Sequence, residues 1–155
     1  MVTPMERVNF TDQRRLARTA ALQSLFAADV RSTWSSPNFE WLDEEEELPE
    51  SSVEFARRLL TGVAKSHSGL DNVITRYAPA WPVSQLSLID RNILRIALFE
   101  LIYTPETPRK TAINEAVELA KIFGSDSSAR FVNGVLGSAM SGLESGEIAP
   151  IESVP

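Results

Sequence analysis

Three arginines near the start of the chain, Arg14, Arg15 and Arg18, form its clearest potential binding motif. Arg14 and Arg18 are one helical turn apart, so in a helix their guanidinium groups would share a face. Guanidinium groups bind phosphate oxygens through paired N–H donors, and three of them can contact successive phosphates. An ordinary solvated helix face is the alternative, and from composition alone it is favoured. Leu16 interrupts the run and is expected to face the core.

A second polar segment, residues 124–133, combines a helix end, a turn and a new helix start. Free backbone amides at such a start, with nearby hydroxyls and an arginine, suit a phosphate group, although simple helix capping explains the same residues. The hydroxyl and guanidinium groups belong to Ser125, Ser127, Ser128 and Arg130. Phe123 and Phe131 flank the turn and could stack on an unpaired base, although aromatic residues at helix ends more often join the core.

Few residues are suited to catalysis. The chain has no cysteine and one histidine, His67, which excludes a disulfide framework, a thiolate zinc site and a multi-histidine metal site. His67 is expected at a helix end, where a solvated imidazole needs no further role. The acidic run 43–47 has no partner histidines, and the chain contains no glycine-rich phosphate-binding motif. We therefore expect no enzyme activity, no cofactor and no metal.

The net charge of −6 is distributed unevenly along the chain. Residues 36–56 hold eight acids and no base, whereas residues 57–143 hold ten bases and seven acids. Because screening limits the reach of a charge to about 8 Å at physiological salt, the overall sign does not exclude RNA as a ligand. No segment resembles a membrane span or a signal peptide, which predicts a cytoplasmic protein without membrane contact.

The elements that would position these residues are all predicted to be helices, because apolar residues recur at three- and four-residue spacing throughout. The length of 155 residues fits one domain. We expect a flexible N-terminus over 1–10, a helical domain over 11–143 with an acidic loop at 32–50, and a disordered acidic tail over 144–155. A bundle of six or seven helices is the predicted architecture.

The first predicted helix runs from Thr11 or Asp12 to Arg31. The second opens at Ser51, with Ser51 and Glu54 as a capping box, and ends near residues 66–68 before Gly69; a third covers residues 70–77. The fourth starts near Ser87, with Asp90 in its first turn, and should be the buried central helix. The fifth runs from Pro108 or Thr111 to Phe123, with Gly124 as its C′ glycine. The sixth, capped by Ser125 or Asp126, extends to about Leu143.

Three segments, in order and spacing, resemble the transcription antitermination factor NusB family: DRNILRIALFEL at 90–101, TAINEAVELAK at 111–121, and FG at 123–124 with RFVNGVL at 130–136. The resemblance covers about residues 12–140. It implies an all-helical fold of two small subdomains without catalysis. It also implies binding to the boxA element of nascent ribosomal RNA, as a heterodimer with the small-subunit ribosomal protein NusE. The complex would join the elongating RNA polymerase with other Nus factors and suppress premature termination.

The resemblance also implies roles for individual residues. Phosphates would be held by Arg14, Arg15 and Arg18, and Phe26 stands where the family often has tyrosine, so it could stack on a base. The second RNA-binding segment would comprise Phe123, Gly124, Ser127, Arg130 and Phe131. The surface that meets the ribosomal protein would comprise Tyr77, Asp90 and Arg91.

Leu16 breaks the family's run of consecutive arginines, which should weaken the electrostatic contribution to RNA binding. About three phosphate contacts on single-stranded RNA predict a salt slope of about −2. One alternative is a non-catalytic RNA-binding domain similar to the front end of ribosomal RNA 5-methylcytosine methyltransferases. Another alternative is a purely structural helical scaffold, which could form a homodimer that masks the arginine face.

Overall fold

The computed structural model describes residues 10–34 and 48–148, and every α-helix or 3-10 turn that follows lies in these ranges. The elements are α1 (Phe10–Arg31), α2 (Glu50–Tyr77), a 3-10 turn (Val83–Gln85), α3 (Leu88–Tyr103), α4 (Arg109–Phe123) and α5 (Ser128–Ser145). The all-helical prediction is confirmed, with fewer helices than expected. The predicted flexible N-terminus up to residue 9, the acidic loop over 35–47 and the tail over 149–155 lie outside the described residues.

The second and third predicted helices form one continuous helix, α2, of 28 residues and about 42 Å. The predicted break at Gly69 is wrong, because Val63, Leu70 and Ile74 continue one buried face across it. Gly69 itself is exposed. His67 therefore lies inside a helix and not at its end, and its ring stacks on Trp34 with 4.9 Å between centroids.

The start of α2 also differs from the prediction. Pro49 is the N-cap residue and no side chain caps the helix, so the predicted capping box of Ser51 and Glu54 is wrong. The Ser51 hydroxyl instead donates to Oε1 of Gln13 at 2.5 Å, and the Ser52 hydroxyl donates to the Gln13 carbonyl at 2.8 Å. These serines attach α2 to the first turns of α1, next to the arginine motif.

The central position predicted for the fourth helix, now α3, is confirmed. Residues 92–102 are all buried, and α3 contacts α1, α2, α4 and α5. Its predicted start is also confirmed, since Ser87 Oγ accepts a hydrogen bond from the Asp90 amide at 3.0 Å. Buried apolar side chains from all five helices form one continuous core around α3. No helix in the described part of the chain is long and apolar enough to cross a membrane.

A buried charge cluster joins α1 and α2 to α3. Asp29 accepts hydrogen bonds from Arg91 at 2.7 and 2.6 Å, from Asn92 at 2.8 Å and from Arg95 at 2.9 Å. Arg95 also pairs with Asp71 of α2 at 2.8 and 2.9 Å. Burial raises the pKa of Asp29, but the bonds from Arg91 and Asn92 and the charge of Arg95 outweigh it and lower that pKa. The cluster fixes the rotation of α1 about its own axis.

Candidate nucleic-acid interface

The sequence predicted that Arg18 shares an outward-facing surface with Arg14 and Arg15. The structure places Arg18 in the interior instead. It is 3% exposed, and its Nε and Nη2 donate to the Glu100 carboxylate of α3 at 2.9 and 2.7 Å. Glu100 is itself buried in the apolar central helix and needs a counter-charge there. Arg18 therefore serves the packing of α1 on α3, and this guanidinium is committed inside the protein.

Arg15 does lie at the surface, with 48% of its side chain exposed. Its Nε and Nη2 donate to the two carboxylate oxygens of Glu115, each at 3.0 Å. The hydrogen bonds that Arg15 donates to Glu115, together with the negative charge of that carboxylate, raise the pKa of Arg15. Glu115 itself is buried, so its carboxylate requires a counter-charge. The guanidinium of Arg15 is exposed, but its positive charge is already balanced by the Glu115 carboxylate.

Arg14 points in a third direction, toward α2. Its guanidinium carbon lies 3.7 Å from the centroid of the Phe55 ring, and the side chain is half-buried. Desolvation by burial, and then the charge of Arg18, lower the pKa of Arg14. Leu16, predicted in the core, is exposed, because the buried face of this turn is formed by Ala17 and Arg18. The three guanidinium groups therefore do not form one outward-facing patch.

Phe26 is exposed on α1, as a stacking residue requires. Eleven residues separate it from Arg15, which is three helical turns, so the two side chains share one edge of the helix about 16 Å apart. The structure thus keeps Arg15 and Phe26 on a common surface and removes Arg18 from it.

The turn between α4 and α5 is built on a close approach at Gly124. The predicted helix end at Phe123, with Gly124 directly after it, is confirmed, but the φ of Gly124 is −92° and not the left-handed value usual for a C′ glycine. A Cβ at Gly124 would lie 2.5 Å from Cβ and Oγ of Ser128 and 2.7 Å from the Ala120 carbonyl oxygen. Glycine is therefore required at this position because there is no space for a Cβ.

The predicted caps of the last helix are also corrected. The helix starts at Ser128 after Ser127, whose side chain makes no capping bond. The Ser128 hydroxyl accepts a hydrogen bond from the Ser125 amide at 2.9 Å. Ser128 is buried by this contact, while Ser127 stays exposed. Ser125 and Ser127 are both exposed, so two serines of this turn remain accessible to a ligand.

A cleft of about 490 Å³ brings several predicted residues together. Ser127, Arg130 and Phe131 of the α5 start line it from one side, opposite Asp90 of the α3 start and Trp81. Trp81 is 59% exposed, and no motif in the sequence marked it as a functional residue. We call this the α3–α5 cleft. Phe123 and Gly124 are not among its lining residues, although Phe123 is exposed at the end of α4.

The three residues expected to meet a protein partner are not equally accessible. Arg91 is tied to Asp29, and its side chain is 15% exposed, so it acts inside the bundle. The Tyr77 hydroxyl donates to Glu147 at 3.0 Å. Its oxygen is so close to Gly142 that a Cβ on that glycine would lie 2.0 Å from it. Asp90 alone faces the α3–α5 cleft, and its Oδ1 has no hydrogen-bond partner within the described residues.

Sequence reasoning missed the acids that neutralise the motif. One signal was available for Glu100, since a single acid inside the apolar run 93–102 must be buried and therefore paired. No such signal marked Glu115, whose burial depends on how α1 and α4 meet. Within the described residues, no group of three or more histidine, cysteine or carboxylate side chains is placed to hold a metal.

Comparison with known proteins gives a consistent relationship. A family model described as the NusB family matches residues 15–141. The transcription antitermination protein NusB of Dehalococcoides mccartyi (strain CBDB1) is 49% identical over 133 residues, covering 86% of this chain and 93% of the relative. That of Chloroflexus aggregans (strain MD-66 / DSM 9485) is 48% identical over 138 residues, covering 88% and 92%.

Solved structures agree. The structure of T. maritima NusB has a TM-score of 0.74 and 32% identity, and the match covers 100% of this chain and 96% of that one. A structure of antitermination factors NusB and NusE in complex with dsRNA has a TM-score of 0.72 and 24% identity, covering 84% and 97%, which shows the shared fold. On these matches the chain belongs to the NusB family.

Proposed function

We propose that this chain is a non-catalytic, cofactor-free transcription antitermination factor that binds boxA-type RNA of nascent ribosomal transcripts together with the ribosomal protein NusE. In this role it joins the elongating RNA polymerase with other Nus factors in the cytoplasm and suppresses premature termination. The observation that carries the proposal is the α3–α5 cleft, which Arg130, Phe131 and Trp81 line together. Membership of the NusB family supports it, since the curated relatives are antitermination proteins.

The α3–α5 cleft has the chemistry that single-stranded RNA requires. Trp81 is largely exposed and Phe131 is half-buried, so both can offer a ring face to an unpaired base. Arg130 is exposed and makes no ion pair with another described residue, which leaves its guanidinium for a phosphate. Asp90 opens on the same cleft, so the RNA surface and the predicted partner surface are contiguous.

The arginine motif contributes less charge than its composition suggests. With Arg18 buried, the outward cations on the proposed track are Arg15, shared with Glu115, and Arg130. Two phosphate contacts on single-stranded RNA predict a salt slope of about −1.4. We therefore propose that the isolated chain binds RNA modestly and that NusE supplies additional positive surface.

A titration tests this proposal. A labelled boxA-type RNA and a scrambled RNA of equal length and composition are titrated with the full chain, alone and with NusE, at several salt concentrations. We expect preference for the boxA-type RNA and tighter binding with NusE. Equal affinity for both RNAs, unchanged by NusE, would contradict the proposal.

Self-association would use the face of α1 that carries Arg15 and Phe26. Leu16, Phe26 and Val30 are exposed there, and a homodimer would cover them. Such a dimer would weaken RNA binding as the protein concentration rises. Sedimentation velocity with and without RNA distinguishes this arrangement from a monomer that binds RNA directly.

A further inference from the structure

The carboxylate of Asp90 is a polar group of the α3–α5 cleft that no other described residue binds. Its Oδ1 is buried, and the side chain makes no hydrogen bond and no ion pair within the described residues. Ser87 Oγ caps the start of α3 by accepting the Asp90 amide at 3.0 Å, so the helix end does not depend on the Asp90 side chain. A buried acceptor without a donor is uncommon in folded proteins and indicates a missing partner.

The neighbouring cations do not supply this partner. Arg91, the next residue, donates to both carboxylate oxygens of Asp29, and its side chain is 15% exposed. Arg130 lines the same cleft as Asp90 but forms no ion pair with it. The anionic and the cationic group of the cleft are therefore both open to a third molecule. Because a carboxylate turns easily about its terminal torsion, the oxygens of Asp90 can reach a ligand in the cleft without a backbone change.

A nucleotide has the three kinds of group that this cleft can bind. Its phosphate is an anion for Arg130, and its base offers a flat face to Trp81, which is 59% exposed. The edge of the base supplies N–H donors for Asp90. A basic peptide would suit Asp90, but Arg130 would repel it. A phosphate group alone would suit Arg130, but it offers no donor to a carboxylate. The volume of about 490 Å³ lies in the range of small-ligand sites.

The chemistry of a carboxylate selects among the bases. An ionised carboxylate only accepts hydrogen bonds, so it favours a base edge with two adjacent donors. Guanine presents N1–H and the N2 amino group side by side, which matches the two oxygens of Asp90. Adenine and cytosine have a ring acceptor next to the amino group, and uracil has a carbonyl oxygen on each side of its N–H. Gln85 and Ser127 also line the cleft and have donors for O6 of guanine.

We propose that the α3–α5 cleft is a base-reading site that takes one unpaired guanosine of the RNA, with the guanine N1–H and N2 amino group donating to Asp90. The base stacks on Trp81, and Arg130 holds an adjacent phosphate. This inference rests on the proposed function and adds the class of base that the cleft selects. It gives Asp90 a role in RNA binding, where the resemblance implied contact with the ribosomal protein.

Short RNAs test the site directly. Oligouridines that differ in one central nucleotide are titrated with the full chain, and binding is followed by fluorescence anisotropy. The central nucleotide is guanosine, inosine, 2′-deoxyguanosine, adenosine or cytidine. Inosine lacks only the N2 amino group of guanosine, and 2′-deoxyguanosine lacks only its 2′-hydroxyl. We expect the guanosine RNA to bind about 5- to 150-fold more tightly than the adenosine and cytidine RNAs, the range for one specific two-bond contact, and the inosine RNA to lose part of that gain.

Two variants separate the role of the Asp90 carboxylate from that of its charge. D90N keeps the side-chain shape but replaces one acceptor with a donor. D126N removes one negative charge from an exposed residue of the neighbouring turn that is not among the residues lining the cleft. We expect D90N to bind the guanosine and inosine RNAs equally, and D126N to keep the wild-type ratio. Equal thermal midpoints for both variants and the wild type show that the fold is retained.

A third variant tests the stacking surface. Trp81 is largely exposed, so W81L should leave the fold intact. We expect W81L to weaken binding of the guanosine and inosine RNAs by the same factor, because stacking does not depend on the N2 amino group. Unchanged affinity of W81L for both RNAs would contradict the proposed site. The comparison of guanosine with inosine in the wild type needs no variant and tests the site even if D90N does not fold.

The outcomes separate this inference from the proposed function. If the wild type prefers a boxA-type RNA to a scrambled RNA but binds the guanosine and inosine RNAs equally, only this inference is wrong. It is also wrong if D90N keeps the wild-type ratio and weakens binding of NusE alone, since Asp90 then belongs to the protein-binding surface. Affinity that falls with 2′-deoxyguanosine but not with inosine would assign the carboxylate to a ribose and overturn the inference. If the wild type binds none of the RNAs, the proposed function fails, and this inference fails with it.

Discussion

Arg18 and Glu100 form a two-bond fork in the interior of the bundle, with 4% and 1% of their side chains exposed. The fork joins α1 to the central helix at the point where the sequence suggested a phosphate-binding residue. Its geometry resembles the phosphate recognition expected of arginine, with an internal carboxylate as the acceptor. Arg18, which the sequence assigned to phosphate binding, therefore has a structural role.

Removing one partner of this fork should unfold the protein more readily. We expect R18M to lower the free energy of unfolding by about 3–5 kcal/mol, because Glu100 is left as an uncompensated buried charge. Urea denaturation measures this effect. The double variant R18M/E100M should recover most of the loss, since it leaves neither charge unpaired. A loss of RNA affinity in folded R18M without any loss of stability would contradict the structural role.

Arg15 should behave differently. Its Nε and Nη2 are engaged by Glu115, but the exposed side of the guanidinium remains open to a phosphate. We expect R15Q to flatten the salt slope of RNA binding by about 0.7 and to lower the free energy of unfolding by about 1–3 kcal/mol, because the buried Glu115 loses its charged partner. R31Q, which removes an exposed cation at the other end of α1, serves as the control and should leave the slope unchanged.

The acid that holds Arg15 gives a prediction of opposite sign. In E115Q the side-chain shape and a hydrogen-bond acceptor remain, while the competing negative charge is lost. We expect tighter RNA binding and a salt slope steeper by up to about 0.7, because a phosphate no longer competes with the carboxylate for Arg15. Anisotropy titrations at several salt concentrations measure this change. Weaker binding would show that Glu115 orients Arg15 more than it neutralises it.

The turn before α5 should not tolerate a side chain on Gly124. G124A places a Cβ against Ser128 and the Ala120 carbonyl, and should destabilise the protein by about 1–3 kcal/mol. G134A is the matched control, because a Cβ there meets no atom within 4 Å and helix interiors favour alanine by about 0.5–1 kcal/mol. Thermal unfolding of both variants checks the contrast. Equal effects would show that the turn relaxes easily.

Asp29 should contribute to acid sensitivity. Its pKa in the folded protein lies below the ordinary 3.8, so its stabilising contribution is complete above that value. The contribution is lost as the pH falls below 3.8 through the lowered pKa. We expect the unfolding free energy of the wild type to decline more steeply with acid in this range than that of D29N. D29N should be less stable at pH 7, because it leaves Arg91 without its carboxylate and Arg95 with Asp71 alone.

The fold was largely predictable because the apolar spacing that marks each helix is local. The central helix could be identified from residues 93–102, whose apolar side chains cover most of its circumference. The break at Gly69 was predicted wrongly because glycine lowers helix propensity by only about 1 kcal/mol, and the buried residues on either side outweigh it. Turn chemistry at Gly124 and Ser128 depends on a contact between two helices, which spacing does not encode.

The site was predictable only in part for the same reason. Arg130 and Phe131 lie on the α3–α5 cleft as the motif suggested, while Trp81 joins them through the tertiary arrangement. Whether an arginine faces solvent depends on the rotation of α1, and that rotation is set by Asp29 and Glu100 through partners more than sixty residues away. Charge counts along the sequence therefore overestimated the accessible positive surface.

The carboxylate of Asp29 has an evolutionary consequence. Three side chains of one helix converge on it, so losing any one member strands a charge or a donor in the interior. Single substitutions at Asp29, Arg91 or Arg95 would be selected against, and change at these positions must occur in concert. In an alignment of relatives, these three columns should covary as a unit.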